Sequence, residues 1–495
     1  MLQEPAVQTS PAELTYGFAR DRGALVKREG DQLVCIHRQD TSLPSLLEVQ
    51  RLYGDIAWRE VDDQTFEATL QAIYREMASM AANVAETGQV DLASLADSAA
   101  EVDDLLDNRD DSPVIRLINA LLLEAIKLGA SDIHIETQER RLVVRFRVDG
   151  VLREVVEPKR ALAPLLVSRI KVMARLDIAE RRMPQDGRVS LRLGGHEVDV
   201  RVSTIPTQHG ERVVMRLLDR GSVRLDLAGL GMNARDVALL HRLIERPNGI
   251  LLVSGPTGSG KTTSLYAVLN RLNDRRRNIM TVEDPIEYEL EGIAQTQVNP
   301  RIDMTFERGL RAVLRQDPDV IMVGEIRDRE TAEAAVRASM TGHFVLSTLH
   351  TNSAVGSITR LIDIGVERYL LAPMVVGLLA QRLVRQLCPE CRVPDTASAI
   401  DAVRLDGELD VGQDIWRAAG CPACHGDGYR GRIGLFELVP VDRDFAVLIH
   451  DGASEAELVA AARRLSPSLL ADGVAKLRAG LTSVDEVARV VHEEA

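Results

Sequence analysis

A chain of 495 residues is too long for one hydrophobic core, so two to four domains are expected. Its 60 Lys and Arg against 74 Asp and Glu give a net charge of −14, which argues against a general nucleic-acid binder but permits a local basic groove. With 45% hydrophobic and 27% charged residues, the composition is that of a soluble globular protein.

In chain order, Met1–Thr15 has acids and no apolar core of a leader peptide, so no secretory signal is expected. Short stretches at Glu48–Tyr53 and Phe66–Met77 read as helical. Ala82–Asp111 is rich in Asp, Glu, Ala and Ser and reads as a solvated acidic linker, bounded at about 86–111. A new domain opens at Ser112–Pro113, a helix cap followed by proline in the first turn. Val114, Leu117, Ile118, Leu121, Leu122, Ala125 and Leu128 repeat at helical spacing, and Gly129 ends the run. Val144, Phe146 and Val148 then alternate with Arg145 and Arg147 up to the hairpin turn Asp149–Gly150. A second hairpin turns at Gly194–Gly195, with Val198, Val200 and Val202 on one face and Arg188, Arg192 and Arg201 on the other. These elements predict a small α+β domain over 112–222 whose sheet has one apolar and one basic face. A short connector at 223–230 leads to a region, 231–495, where buried strands alternate with helices as in an α/β ATPase core. Leu370–Ala380, the longest apolar run, is too short to span a bilayer and contains Pro373.

Ile250–Val253 is a buried strand leading into Gly255, Pro256, Thr257, Gly258, Ser259, Gly260, Lys261, Thr262 and Thr263, and Ser264–Leu272 continues as a helix. This is the phosphate-binding loop G-x-x-x-x-G-K-[ST] in its required setting. Its backbone N–H groups and the helix N-terminus suit phosphate oxygens, Lys261 suits the β- and γ-phosphates, and the Thr262 hydroxyl suits Mg²⁺. The strand Val320–Val323 delivers Glu325 to the place of the Walker B acid, where most such proteins have Asp; water-mediated Mg²⁺ binding is its expected task. Glu283, after the strand Ile279–Val282, is the candidate to orient the attacking water. His343 and His350 bracket a further strand, and His350 is placed to sense γ-phosphate charge.

Five cysteines in such a chain are no disulfide framework. Cys388-x-x-Cys391 and Cys421-x-x-Cys424 predict a four-thiolate Zn²⁺ site, with the segment between the pairs protruding from the core. The run Cys421-Pro-Ala-Cys424-His425 also matches c-type haem attachment, a chemistry foreign to a chain without an export signal. Cys35 reads as a buried apolar residue.

Together these motifs resemble the secretion ATPases that power type II secretion systems and the related type IV pilus motors. The likeness rests on Gly255–Thr262, the acid box Glu283–Glu287, Arg315–Asp319 leading to Glu325–Asp328, and the histidine box Gly342–His350. The tetracysteine set resembles the type II secretion ATPase or the pilus-assembly motor rather than the retraction motor, and the short N-terminal region with Phe18–Arg22 is more similar to the type II member. The resemblance implies a RecA-like ATP- and Mg²⁺-dependent core, a PAS-like small domain closing over nucleotide, and a homohexameric ring. It implies that Arg201 and Arg216 of the small domain reach the nucleotide, with Arg311, Arg315 and Arg327 close to the acid and histidine boxes. It also implies that residues 1–85 dock to the cytoplasmic domain of an inner-membrane platform protein, and that a polytopic platform protein is a second partner. The chain would then be a cytoplasmic enzyme peripheral to the inner membrane, with no transmembrane segment and no nucleic-acid partner, driving pseudopilus assembly and protein export. A pilus-assembly ATPase, a nucleic-acid motor and a regulatory nucleotide-binding module are the alternatives.

Overall fold

In the computed structural model the chain divides into two units, Met1–Gly221 and Ser222–Ala495. The structure describes residues 22–29, 32–54, 56–63, 65–66, 69, 92, 113–193, 196–219 and 226–492. The helix expected at Phe66–Met77 and the acidic linker therefore lie almost wholly outside the described residues.

In the first unit, β1 (Ala24–Glu29), β2 (Gln32–Arg38) and β3 (Ala57–Val61) form a small sheet in that order. The helix Leu43–Tyr53 joins β2 to β3, beginning one turn earlier than expected because Pro44 suits the first turn. Cys35 is fully buried among Ala24, Val26 and Val49, and burial pushes its thiol up to about 12, as befits an apolar core residue.

The expected amphipathic helix runs over Pro113–Lys127, with Leu117, Ile118, Leu121 and Ala125 fully buried. With the helix Ala163–Met173 it covers the apolar face of a six-stranded antiparallel sheet. The strands are β4 (Ala130–Thr137), β5 (Leu142–Val148), β6 (Val151–Val156), β7 (Gln185–Leu193), β8 (His196–Thr207) and β9 (Gly210–Asp219), ordered β6-β5-β4-β9-β8-β7. Both hairpins fall where the alternation placed them. A buried ion pair, Lys171 Nζ to Glu211 Oε1 at 2.5 Å, fastens the second helix to β9. The same ammonium donates to the Glu180 carbonyl at 2.7 Å and so holds the loop that follows the helix.

The polar face of this sheet is an ion ladder. Pairing register sets Arg188 opposite Arg201, Arg201 opposite Arg216, Arg216 opposite Asp132, and Asp132 opposite Arg147. Asp132 accepts from Arg216 at 2.9 Å, while Glu136 takes Arg145 at 2.6 Å and Arg212 at 2.8 Å. The basic face is thus threaded with acids the alternation did not single out.

The second unit is built on seven strands: β10 (Gly249–Ser254), β11 (Ile279–Glu283), β12 (Ala294–Gln297), β13 (Val320–Val323), β14 (Phe344–Leu349), β15 (Val375–Leu387) and β18 (Tyr429–Pro440). Their order is β12-β11-β13-β14-β10-β15-β18, parallel throughout except for the antiparallel last pair. β10, β13 and β14 are buried along their whole length, as parallel strands covered on both faces must be. The apolar run Leu370–Ala380 forms the end of the helix Arg368–Met374 and the start of β15. No described helix is long and apolar enough to cross a membrane.

Between the cysteine pairs lie β16 (Val393–Thr396), the helix Ala399–Arg404 and β17 (Asp414–Arg417), with β16 and β17 antiparallel. The expectation of a protruding loop needs correction. Ala397, Leu405, Leu409 and Ile415 share a core with Val474, Leu477, Val484 and Val487 of the two C-terminal helices. The segment is a small folded layer seated on the end of the chain, because four apolar side chains would otherwise stand in water.

Candidate active site and metal centre

All three expected loops issue from the carboxyl ends of adjacent parallel strands, the place where open α/β sheets hold ligands. The phosphate loop follows β10. Gly260 caps the helix Lys261–Leu272 with a left-handed φ of 87°, and a Cβ there would lie 2.8 Å from the Gln381 amide nitrogen. Gly255, at φ 149°, would meet the Gln381 carbonyl at 2.5 Å. Only glycine serves at either position. The Ser259 hydroxyl is buried in this loop without a hydrogen-bond partner, which fits a cradle awaiting anionic oxygens.

Lys261 is buried, and its ammonium donates to the carbonyls of Gly255 at 2.6 Å and Pro256 at 3.0 Å. Burial pulls it down to about 8; the Glu325 charge opposes this and the Arg382 charge adds to it. Glu325, two residues beyond β13, is buried, with one carboxylate oxygen on Arg327 at 2.5 Å and the other 3.3 Å from His350 Nε2. His350 follows β14 directly. Burial first, then the Lys261 charge, lowers its pKa below the ordinary imidazole value, so it is held neutral near pH 7. His343, at the other end of β14, bonds through Nδ1 to the Ala338 carbonyl and serves the turn.

Glu283 ends β11, the strand beside β13, and its Cα lies 3.4 Å from where a Cβ on Gly324, the residue before Glu325, would stand. Its carboxylate is buried and takes hydrogen bonds from the Tyr266 hydroxyl, from Thr281 Oγ1 at 2.5 Å and from Gln295 Nε2 at 3.0 Å. Thr262 and Thr263 open the phosphate-loop helix and are half-buried. Of the arginines, Arg327 joins the cluster through Glu325. Arg311 pairs with Glu307 on an exposed helix face, and Arg315 donates to the Arg311 carbonyl. Arg201 and Arg216 lie in the ladder of the first unit.

The four cysteines of the two pairs converge. Their sulfurs all lie within 4.8 Å of one another, with separations of 3.9 Å (Cys388–Cys421), 3.8 Å (Cys391–Cys424) and 3.7 Å (Cys421–Cys424). A tetrahedron of metal–sulfur bonds of about 2.3 Å sets sulfurs about 3.8 Å apart, so the group fits one ion. Backbone N–H groups of Cys421 and Gly428 point at Cys424 Sγ from 3.1 and 3.2 Å. Burial alone would raise that thiol, but these donors pull it down to about 6. Burial and the neighbouring sulfurs push Cys391 up to about 12, so the full set of thiolates needs a cation.

The family model described as Type II/IV secretion system protein matches residues 107–489, and that of an amino-terminal domain of GSPII protein E matches 13–74. The chain is 57% identical to a Type II secretion system protein E of Pseudomonas aeruginosa, covering 98% of this chain and 97% of that one. It is 53% identical to the Type II secretion system ATPase E of Vibrio cholerae, covering 100% and 99%. This chain belongs to the type II secretion ATPases. Among solved structures, the pilus retraction motor PilT with bound ADP is 25% identical over 75% of this chain and 96% of its own, with a TM-score of 0.52.

For this secretion ATPase, two polar residues of the site escaped the sequence reading. Gln381 and Arg382 are 2% and 5% exposed in the middle of β15, between Leu378–Ala380 and Leu383–Val384. A polar pair inside an apolar strand was the signal that could have found them. Tyr266 and Gln295, which hold Glu283, had no such mark.

Two outcomes follow from the electrostatics. Above about pH 8 the empty site holds a neutral Lys261, so phosphate must bring a proton with it. Nucleotide affinity should fall by up to about tenfold per unit as pH rises from about 8 to about 10, with proton uptake on binding. Calorimetry in buffers of different ionisation enthalpy measures that proton; a flat profile would show that Lys261 is not held below its ordinary range before phosphate binds. The purified chain should also carry about one metal ion on its four cysteines. Elemental analysis showing none, or Cys388→Ser retaining a full complement, would rule that centre out.

Proposed function

We propose that this ATPase works as a homohexamer on the cytoplasmic face of the inner membrane, hydrolysing ATP to drive pseudopilus assembly and export of folded proteins across the outer membrane. The observation that carries the reading is the meeting of Lys261, Glu325 and His350 at the ends of three neighbouring parallel strands. In this reading the backbone of Gly255–Gly260 and Thr263 cradles the phosphates, and Lys261 leaves its carbonyl partners for the β- and γ-oxygens. The Thr262 hydroxyl and, through water, Glu325 would hold Mg²⁺, which when bound neutralises charge on the phosphates. Neutral His350 donates from Nε2 and can report whether a γ-phosphate is present. Arg311, Arg315 and Arg327 serve the same pocket from the core.

Glu283 is the proposed water-orienting base, and its Oε2, which takes only the Tyr266 hydroxyl, keeps a lone pair for that water. Arg201 and Arg216 would reach nucleotide from the small domain of the same or a neighbouring subunit. The facing arginines of Arg188, Arg201 and Arg216 support this, since like charges set opposite one another gain from a shared anion. The domain plan is 1–85 for docking to the platform protein's cytoplasmic domain, 86–111 as acidic linker and 112–222 as the PAS-like domain. Residues 223–230 link it to the RecA-like domain 231–495, with 385–430 holding Zn²⁺, the ion that four thiolates favour. The polytopic platform protein would take up the motion.

Turnover tests the catalytic assignments. Glu283→Gln should keep ATP affinity within a few fold while kcat drops by about a hundredfold, the usual scale for a lost general base. Near-normal turnover would pass that duty to Glu325. Specific activity should rise steeply with protein concentration, and Arg201→Ala should flatten the rise. Activity that stays constant over about a hundredfold dilution and ignores Arg201→Ala would remove the ring from the mechanism.

A further inference from the structure

A carboxylate offers about four lone-pair directions, two on each oxygen. Around Glu283 three of them are taken. Thr281 Oγ1, from the same strand, donates to Oε1 at 2.5 Å, and Gln295 Nε2, from the edge strand β12, donates to it at 3.0 Å. The Gln295 amide cannot be reversed. The Leu290 N–H, which can only donate, sits on its Oε1 at 2.8 Å, and the Tyr288 carbonyl, which can only accept, lies 3.2 Å from its Nε2. Oε1 is therefore filled by groups that the acid box and its neighbouring strand hold in place.

Oε2 is different. It takes the Tyr266 hydroxyl, which comes from the phosphate-loop helix and not from the acid box. The Glu287 N–H points at the same hydroxyl oxygen from 3.4 Å, so the phenol accepts there and directs its one proton at the carboxylate. The Tyr266 ring is fully buried and packs edge-on against Tyr288, 4.6 Å between centroids. Lys261 opens the same helix and Tyr266 lies five residues on, so the ammonium meant for phosphate and the phenol belong to one rigid element. The acid box itself lies against the strand end that bears Glu325, where the Gly324 N–H donates to the Val282 carbonyl at 2.8 Å. A water bound at Oε2 then has one place to go. Without the phenol it would have two, and a water shared between two places stands in the attacking one for only part of the time.

We infer that Tyr266 is a positioning residue for Glu283: its hydroxyl, carried by the phosphate-loop helix, occupies one side of Oε2 and assigns the attacking water to the other, while Gln295 locks Oε1. The inference rests on the reading of Glu283 as the water-orienting base. It adds that the base takes its aim from the helix that also carries Lys261, so water and phosphate are lined up by one element.

The test uses the full chain, with turnover and the affinity of a non-hydrolysable fluorescent ATP analogue measured side by side. Tyr266→Phe keeps the ring against Tyr288 and removes only the hydroxyl. It should lower kcat by about tenfold, the scale of one hydrogen bond to a charged group, while KM and analogue affinity stay within about threefold. In the Glu283→Gln background the same change should lower kcat by less than about twofold more, because no base is left to aim. Normal kcat in Tyr266→Phe, equal loss of kcat and analogue affinity, or losses that multiply in the double variant would make Tyr266 a packing residue and overturn the inference. If Tyr266→Phe melts too low to assay, Gln295→Met on the half-buried edge strand takes its place in the same cycle, with the same expected and overturning outcomes. Glu283→Gln alone tests the underlying reading. Near-normal turnover there would dismiss Glu283 as the base, whereas turnover lost in Glu283→Gln beside an unaffected Tyr266→Phe would dismiss only the positioning role.

Discussion

Lys261 carries its ammonium into a place that water scarcely reaches, and the loop around it answers with two of its own carbonyls. That arrangement holds the loop in shape without ligand. It also keeps the charge on short notice, since an anion of higher density can take over both hydrogen bonds. The glycines at 255 and 260 follow from it, because the backbone must curl tightly enough to bring Gly255 and Pro256 to the lysine. So does the buried acid at Glu325, without which the ammonium would be hard to keep charged so far from solvent. The parallel sheet supplies the rest by ending three strands at one level.

Much of this was legible from residues alone. The phosphate loop, the strands on either side of Glu325 and His350, and both hairpins of the small sheet announce themselves by local spacing. What was not legible depends on pairing across long stretches of chain. Gln381 and Arg382 become part of the phosphate site only because β15 is set beside β10, more than a hundred residues earlier. The acids Asp132 and Glu136 were hidden among β-branched neighbours, and only strand register shows which arginine each one meets. The layer between the cysteine pairs looked like a loop because its own strands are four residues long and its apolar partners lie at the end of the chain.

Glu283 illustrates a different gap. Its position at a strand end is correct, yet spacing says nothing about donors arriving from elsewhere. Tyr266 comes from the phosphate-loop helix and Gln295 from the edge strand; Thr281 and Gln295 fill Oε1, while Oε2 takes Tyr266 alone. The Tyr266 phenol is held protonated by burial and by that carboxylate, well above the ordinary range. The acid box and the phosphate-loop helix are therefore stitched by a buried bond, and neither can shift without breaking or carrying it.

β15 does more than back the phosphate loop. It runs on to Leu387, and the next residue is Cys388. Cys388 is six residue steps beyond Arg382, about 20 Å of extended chain. Along this length the ladder with β18 breaks register once, between Arg385 and Leu387. Beside the break, Arg385 lies over the Tyr429 ring and is gripped by Glu486 and Asp427. One strand therefore joins the two centres covalently: its inner part backs the phosphate loop, its outer end runs into Cys388, and Glu486 of the last helix and Asp427 of the second cysteine loop clamp it between them, so the phosphate site and the four sulfurs share a single rigid spar.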